Sequence, residues 1–116
     1  VNETVATHDP TAHAELVALR AAALQLGSPD LAGCAVYASG QPCPMCLAAM
    51  RLAGVADVHY AYSNQDGAPY GLSTAALYEE MARPLEQQPI AIRYLPVRPE
   101  GAGDLYAGWK ARQDQA

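Results

Sequence analysis

The chain has 116 residues, enough for one domain around one core. Half of it is apolar (51%) and 16% is charged, which excludes a disordered chain, and no apolar run nears the ~20 residues of a membrane-spanning helix. Seven Lys and Arg against twelve Asp and Glu leave a net charge of −5, a balance that counts against a polyanionic nucleic acid as partner.

The start, Val1-Asn2-Glu3-Thr4, has neither the basic residues nor the apolar stretch of a secretion signal, so a cytoplasmic location is expected. Residues 1–8 read as extended or looped. Asp9-Pro10 predicts a helix start, with Asp as N-cap and Pro in the first turn. Leu16, Leu19, Ala23 and Leu26 then form an apolar stripe at helical spacing, and Gly27 ends a helix spanning about 10–26. Ala35-Val36-Tyr37-Ala38 reads as a short buried strand. Gln41-Pro42 bends the chain, Met45 to Leu52 favours helix, and Gly54 closes it. Val55 to Tyr62 predicts a second strand and Ser63 to Gly71 a loop rich in turn formers. Ser73 is placed to cap a helix reaching about Met81, which Arg83-Pro84 stops. Ile90 to Val97 predicts a third strand, Pro99 to Asp104 an irregular stretch, and Leu105 to about Gln113 a last helix carrying Trp109.

Such alternation of helix and strand predicts helices packed on a largely parallel sheet. Three strands make a narrow sheet, so one or two strands and a helix are expected to be missing from the N-terminal side, or to come from elsewhere.

Cys34, Cys43 and Cys46 fit a reducing compartment better than a disulfide framework. Cys34, at a strand start, reads as an apolar filler. Cys43-Pro44-Met45-Cys46 alone serves redox or structural-metal roles more often than catalysis. The joint pattern is more informative. His13-Ala14-Glu15 lies at one helix start, and Pro42-Cys43-Pro44-Met45-Cys46 lies at another after an intervening strand. Two thiolates and an imidazole make three zinc ligands and leave a fourth position open. Glu15 then stands as a proton carrier and not a ligand. Backbone N–H groups of Ala14 and Cys43 are available to orient the nucleophile or the leaving group. Met45, Leu47 and Met50 are expected in the core or on a dimer face, and His8 and His59 in structural roles.

Asp9-Pro10-Thr11-Ala12-His13-Ala14-Glu15 and Pro42-Cys43-Pro44-Met45-Cys46-Leu47 resemble the cytidine and deoxycytidylate deaminase superfamily, and within it the guanine deaminase and tRNA adenosine deaminase branch. The resemblance runs from Asn2 to about Trp109. It implies Zn2+ on His13, Cys43 and Cys46, with Glu15 as the catalytic proton shuttle, and substrate contacts from Asn2, Ala14, Pro42 and Asp66. It further implies a three-layer α/β/α sandwich around a mixed sheet. Residues 1–116 would form a single deaminase domain lacking the family's N-terminal helix and first two strands. A homodimer is expected. The implied reaction is hydrolytic deamination of a free nucleobase or nucleoside, with guanine or a related aminopurine-like ring favoured.

Two alternatives stand beside it, a tRNA-specific adenosine deaminase and an inactive zinc-stabilised partner subunit. Guanine-specific members usually carry Gly-Phe-Asp-Asp where this chain has Gly71-Leu72-Ser73-Thr74, and tend to end on an aromatic residue where this chain ends Arg112-Gln113-Asp114-Gln115-Ala116. The tRNA branch typically has a basic residue and a Gly-Ala pair in the loop that here reads Ser63-Asn64-Gln65-Asp66-Gly67-Ala68-Pro69, with no Lys or Arg.

Overall fold

The computed structural model describes residues 1–98, 100, 101 and 103–115; Pro99 and Ala102, in the stretch expected to be irregular, and Ala116 lie outside it. In chain order the helices are α1 (Thr4–Thr7), α2 (Ala14–Leu26), α3 (Pro44–Ala53), α4 (Asn64–Gly67), α5 (Ala75–Met81) and α6 (Leu105–Asp114). Strand β1 (Ala35–Gly40) precedes α3, and β2 (Asp57–Tyr62) follows it.

β1 and β2 pair in parallel with Val36 opposite Val58 and Tyr37 opposite His59. A parallel neighbour needs a crossover, and α3 supplies it. Side chains alternate along each strand, so the two faces differ. Val36 and Val58 turn inward onto a cluster of Leu16, Cys43, Cys46 and Met50, joined by Leu19, Met45, Ala49 and Val55. Tyr37 and His59 point the other way, exposed, and stack with ring centroids 4.8 Å apart. Leu31, Met50 and Cys46 are the largest fully buried side chains. Two of the four central residues of this small core are the cysteines, so the packing centre and the candidate metal site are one place.

Several elements depart from the sequence expectations. The first helix begins at Ala14, not at residue 10, because the Asp9 carboxylate accepts from Thr11 N–H and Oγ and closes a local turn. Such side-chain bonds compete with helix. Residues 1–8 are not wholly irregular: Asn2 Oδ1 accepts from Thr4 N–H and Oγ, and the one-turn α1 follows. The expected loop 63–71 holds α4 and a short 3-10 turn over Ala68–Tyr70. Cys34 is half-buried and not a core filler. Leu26 is exposed, off the buried stripe.

The largest correction concerns Ile90 to Val97, which forms no strand; among the described residues the sheet is β1 and β2 alone. The reason lies in pairing. Alternating apolar residues suit a pleated surface, but a strand also needs a partner strand to bond, and among the described residues this segment pairs with none. Ile90, Tyr94, Leu95 and Val97 are exposed, and Pro96 carries no N–H to donate.

Candidate metal centre

The two halves of the site are built alike. His13 is the N-cap of α2 and Cys43 the N-cap of α3, both with extended backbone (φ −62°, ψ 152° and φ −71°, ψ 167°). The expected helix of about 10–26 would put His13 inside its first turn; with α2 starting at Ala14, His13 is the cap just before it. Pro44 at the first helical position needs no N–H there and fixes the entry into α3. Cys46, three residues beyond Cys43, returns to the same side of the helix start. N-cap positions usually go to Ser, Thr, Asp or Asn, whose oxygens bond the free N–H groups. Neither His13 nor Cys43 makes such a bond; both side chains turn to each other instead.

His13 Nδ1 lies 3.5 Å from Cys43 Sγ and 3.5 Å from Cys46 Sγ, and the two sulfurs are 3.6 Å apart. A tetrahedral zinc with Zn–S of about 2.3 Å and Zn–N of about 2.0–2.1 Å holds such ligand atoms roughly 3.5–3.8 Å apart. The three side chains are therefore already at coordination spacing, and they form a potential metal-binding group among the described residues. Cys43 is 7% exposed and Cys46 0%, while His13 is half-buried and leaves the site one open side.

The charges point the same way. Burial pushes the Cys46 thiol well above its ordinary value; its bond with Cys43 and the charge of Glu15 push it further. Two thiolates and a carboxylate are costly together in a dry place without a cation. A dication removes that cost, and the helix N-termini favour thiolate. The donor set fits zinc. Glu15, in the first turn of α2, is half-buried beside Cys46.

Neighbouring segments hold the two ligand-bearing turns. Ahead of His13, Glu3 N–H donates to the Ala12 carbonyl at 2.9 Å, and Arg20 donates to Thr11 Oγ at 2.8 Å. Ahead of Cys43, Gln41 N–H donates to the Tyr62 carbonyl at 2.7 Å, and Gln41 Oε1 accepts from Asn64 N–H at 2.8 Å. The Tyr78 hydroxyl of α5 donates to the Pro42 carbonyl. Burial, with the nearby thiols next, holds the Tyr78 hydroxyl above its ordinary pKa, so it stays a donor. Sequence reasoning missed Gln41 and Tyr78. Tyr78 is 36 residues from its partner, and no local pattern announces such a contact.

The remaining expected site residues are placed less directly. Asn2 lies one residue before Glu3, whose N–H is tied to the His13 turn; its side-chain oxygen is used by Thr4. Ala14 opens α2, where helix N–H groups lack intrahelical partners. Asp66 sits in a capping box with Ser63: its Oδ2 accepts from Ser63 N–H and Oγ, and these bonds hold its carboxyl below the ordinary value. No helix among the described residues is long and apolar enough to cross a membrane.

Comparison with known proteins agrees with this geometry. Residues 1–62 match the family described as the cytidine and deoxycytidylate deaminase zinc-binding region. The guanine deaminase of Bacillus subtilis (strain 168) is 40% identical over 89 residues, covering 77% of this chain and 57% of that protein. The tRNA-specific adenosine deaminase of Agrobacterium fabrum is 36% identical over 66 residues, covering 57% of this chain and 43% of that one. This chain thus spans little more than half the length of the first of these relatives. The crystal structure of the Bacillus subtilis guanine deaminase superposes with a TM-score of 0.82 at 33% identity, over 99% of this chain and 70% of that one. By this match and by its own zinc-ligand geometry, the chain belongs to the cytidine and deoxycytidylate deaminase family.

Proposed function

We propose that the protein hydrolytically deaminates a free nucleobase or nucleoside, with guanine or a related aminopurine ring as the preferred substrate. The observation that carries this reading is the His13, Cys43 and Cys46 cluster at zinc spacing with a carboxylate, Glu15, beside it. The similarity to a guanine deaminase over most of the chain supports the choice of ring.

Bound zinc supplies Lewis acidity, which makes water a usable nucleophile near neutral pH. Glu15 takes a proton from that water and delivers it to a ring nitrogen as the C–O bond forms. It then takes the remaining proton of the added hydroxyl and passes it to the exocyclic amine, so that the C–N bond breaks with ammonia as leaving group and a ring carbonyl remains. The Pro42 carbonyl and the N–H of Ala14 orient the reacting end of the ring. Asn2 and Asp66 bond its far edge, Asp66 by accepting from ring N–H groups. The protein works as a homodimer on a small-molecule substrate.

A tRNA adenosine deaminase is the second reading, favoured by the likeness to such enzymes. The net charge of −5 and a loop 63–69 without Lys or Arg weigh against it. An inactive partner subunit is a third, and the retained Glu15 weighs against that. Ammonia release from guanine, guanosine, cytosine and adenosine, measured beside inosine formation in a tRNA anticodon loop, separates them. Guanine turnover is expected; reaction of the tRNA alone would overturn the substrate, and no reaction at all the activity. Glu15→Gln should keep its zinc and lose turnover by about 10²-fold or more. Undiminished turnover would remove Glu15 from its role.

A further inference from the structure

We infer that Tyr78 is a positioning residue of the metal centre, acting through the Pro42 carbonyl to fix Cys43 where zinc needs it. The inference rests on zinc occupying the cluster, not on which substrate is deaminated.

Cys43 is delivered by three residues that belong to neither helix nor strand, 41–43. Such a segment has no ladder of its own and must be fixed by its neighbours. Gln41 is fixed at both its backbone and its side chain, by Tyr62 and Asn64. Asn64 is in turn tied to the start of α5, because its Oδ1 accepts from Thr74 N–H and Oγ. Pro42 has no N–H, so its carbonyl is its one backbone handle, and the Tyr78 hydroxyl holds it. That carbonyl belongs to the peptide joined directly to Cys43. Its orientation sets ψ of Pro42 and thereby the direction in which Sγ leaves the turn.

Tyr78 is itself well placed to serve as an anchor. It is half-buried, and α5 packs against α3, the helix that Cys43 opens. A Tyr ring has only two side-chain torsions to order, so a packed ring aims its hydroxyl at little entropic cost. The carbonyl has two lone pairs, so the bond from Tyr78 does not exhaust its capacity to accept. Hydrogen-bond partners just outside a metal's ligands typically change affinity 10- to 100-fold when removed.

The test compares the full chain with Tyr78→Phe, which deletes the hydroxyl and keeps the ring. Tyr70→Phe, at a largely exposed tyrosine, is the control. Zinc affinity is read by competition with a chromophoric chelator, and ligand geometry by the absorption bands of the cobalt-substituted protein. Tyr78→Phe should bind zinc about 10-fold or more weakly and shift the cobalt bands, whatever small drop the lost bond brings to the metal-free melting temperature. Zinc affinity and cobalt bands equal to the parent's would overturn the inference. So would a lowered metal-free melting temperature with unshifted cobalt bands, since that marks the hydroxyl as merely structural. Neither readout uses turnover, so an absence of guanine deamination would leave this result standing and count only against the substrate.

Discussion

Asp9 shows how a single side chain moves a boundary. As an N-cap it would start a helix at Pro10; as a turn former it bonds Thr11 and delays the helix to Ala14, which places His13 at the N-cap with its ring free. Arg20 reaches back from α2 to Thr11 and lies 3.8 Å from Asp9, so the turn is also held from the helix side. The bonds from Thr11 hold the Asp9 carboxyl below its ordinary value of 3.8, with Arg20 contributing least. A carboxylate with a depressed folded-state pKa stabilises the fold above its ordinary pKa, and that contribution fades as pH falls through the folded value. Asp9→Ala should therefore lower the melting temperature at pH 7, and the gap to the parent should close as pH drops below about 4. Melts of both proteins across that window check it; an equal gap at pH 7 and pH 3 would show that the carboxylate's charge is not what holds the turn. Composition alone did not give this reading, because Asp-Pro suits both a helix start and a turn.

At the scale of elements, both helices that present ligands give up a favourable cap. His13 and Cys43 occupy positions where a side-chain oxygen would bond a free N–H, and neither supplies one. Without metal the protein therefore carries two weakly capped helix starts next to a buried pair of thiols. Replacing a poor N-cap by Ser gains about 0.5–2 kcal/mol. Cys43→Ser should abolish zinc binding yet raise the melting temperature of the chelator-treated protein, by several degrees for a domain of this size. Melting in excess chelator, with zinc content measured beforehand, decides it. A metal-free variant no more stable than its parent would mean that the cap is satisfied some other way. The trade also explains which elements were legible. α3 and β1 follow from Pro44, the run Met45 to Leu52, and the apolar Ala35 to Ala38, because local propensity points one way there, although β1 is not the buried strand expected: Val36 and Ala38 are half-buried and Ala35 and Tyr37 exposed. The capping box of Ser63 and Asp66, within a stretch read as loop, was written locally and overlooked. The bonds from Tyr78 to Pro42 and from Asn64 to Gln41 depend on tertiary placement, which a sequence pattern does not encode.

For the whole molecule, the contrast lies between a tightly built N-terminal half and the chain after α5. The metal ligands, the sheet and the buried residues all fall between Ala12 and Tyr62. Ile90, Tyr94, Leu95, Leu105 and Tyr106 are each more than two-thirds exposed. The radius of gyration is 18.4 Å, where a compact chain of this length has about 13 Å. The expected third strand failed for this reason: its side-chain pattern suits a sheet, while among the described residues its backbone pairs with no strand. On α3, Leu52 is exposed beside a groove that Leu16, Leu19, Met45 and Ala49 line between α2 and α3. Apolar surface of this extent is rarely left to water in a stable monomer. In the proposed homodimer a second copy of the chain covers it, since an interface between identical subunits closes by two-fold symmetry. Sedimentation at micromolar concentration should then give twice the chain mass. Leu52→Glu, which adds charge to that face and lies six residues beyond the last metal ligand, should shift the protein towards monomer while its zinc content stays unchanged. A parent that sediments only as monomer would leave the exposed residues of α3 without this explanation, and the dimer would have to be given up.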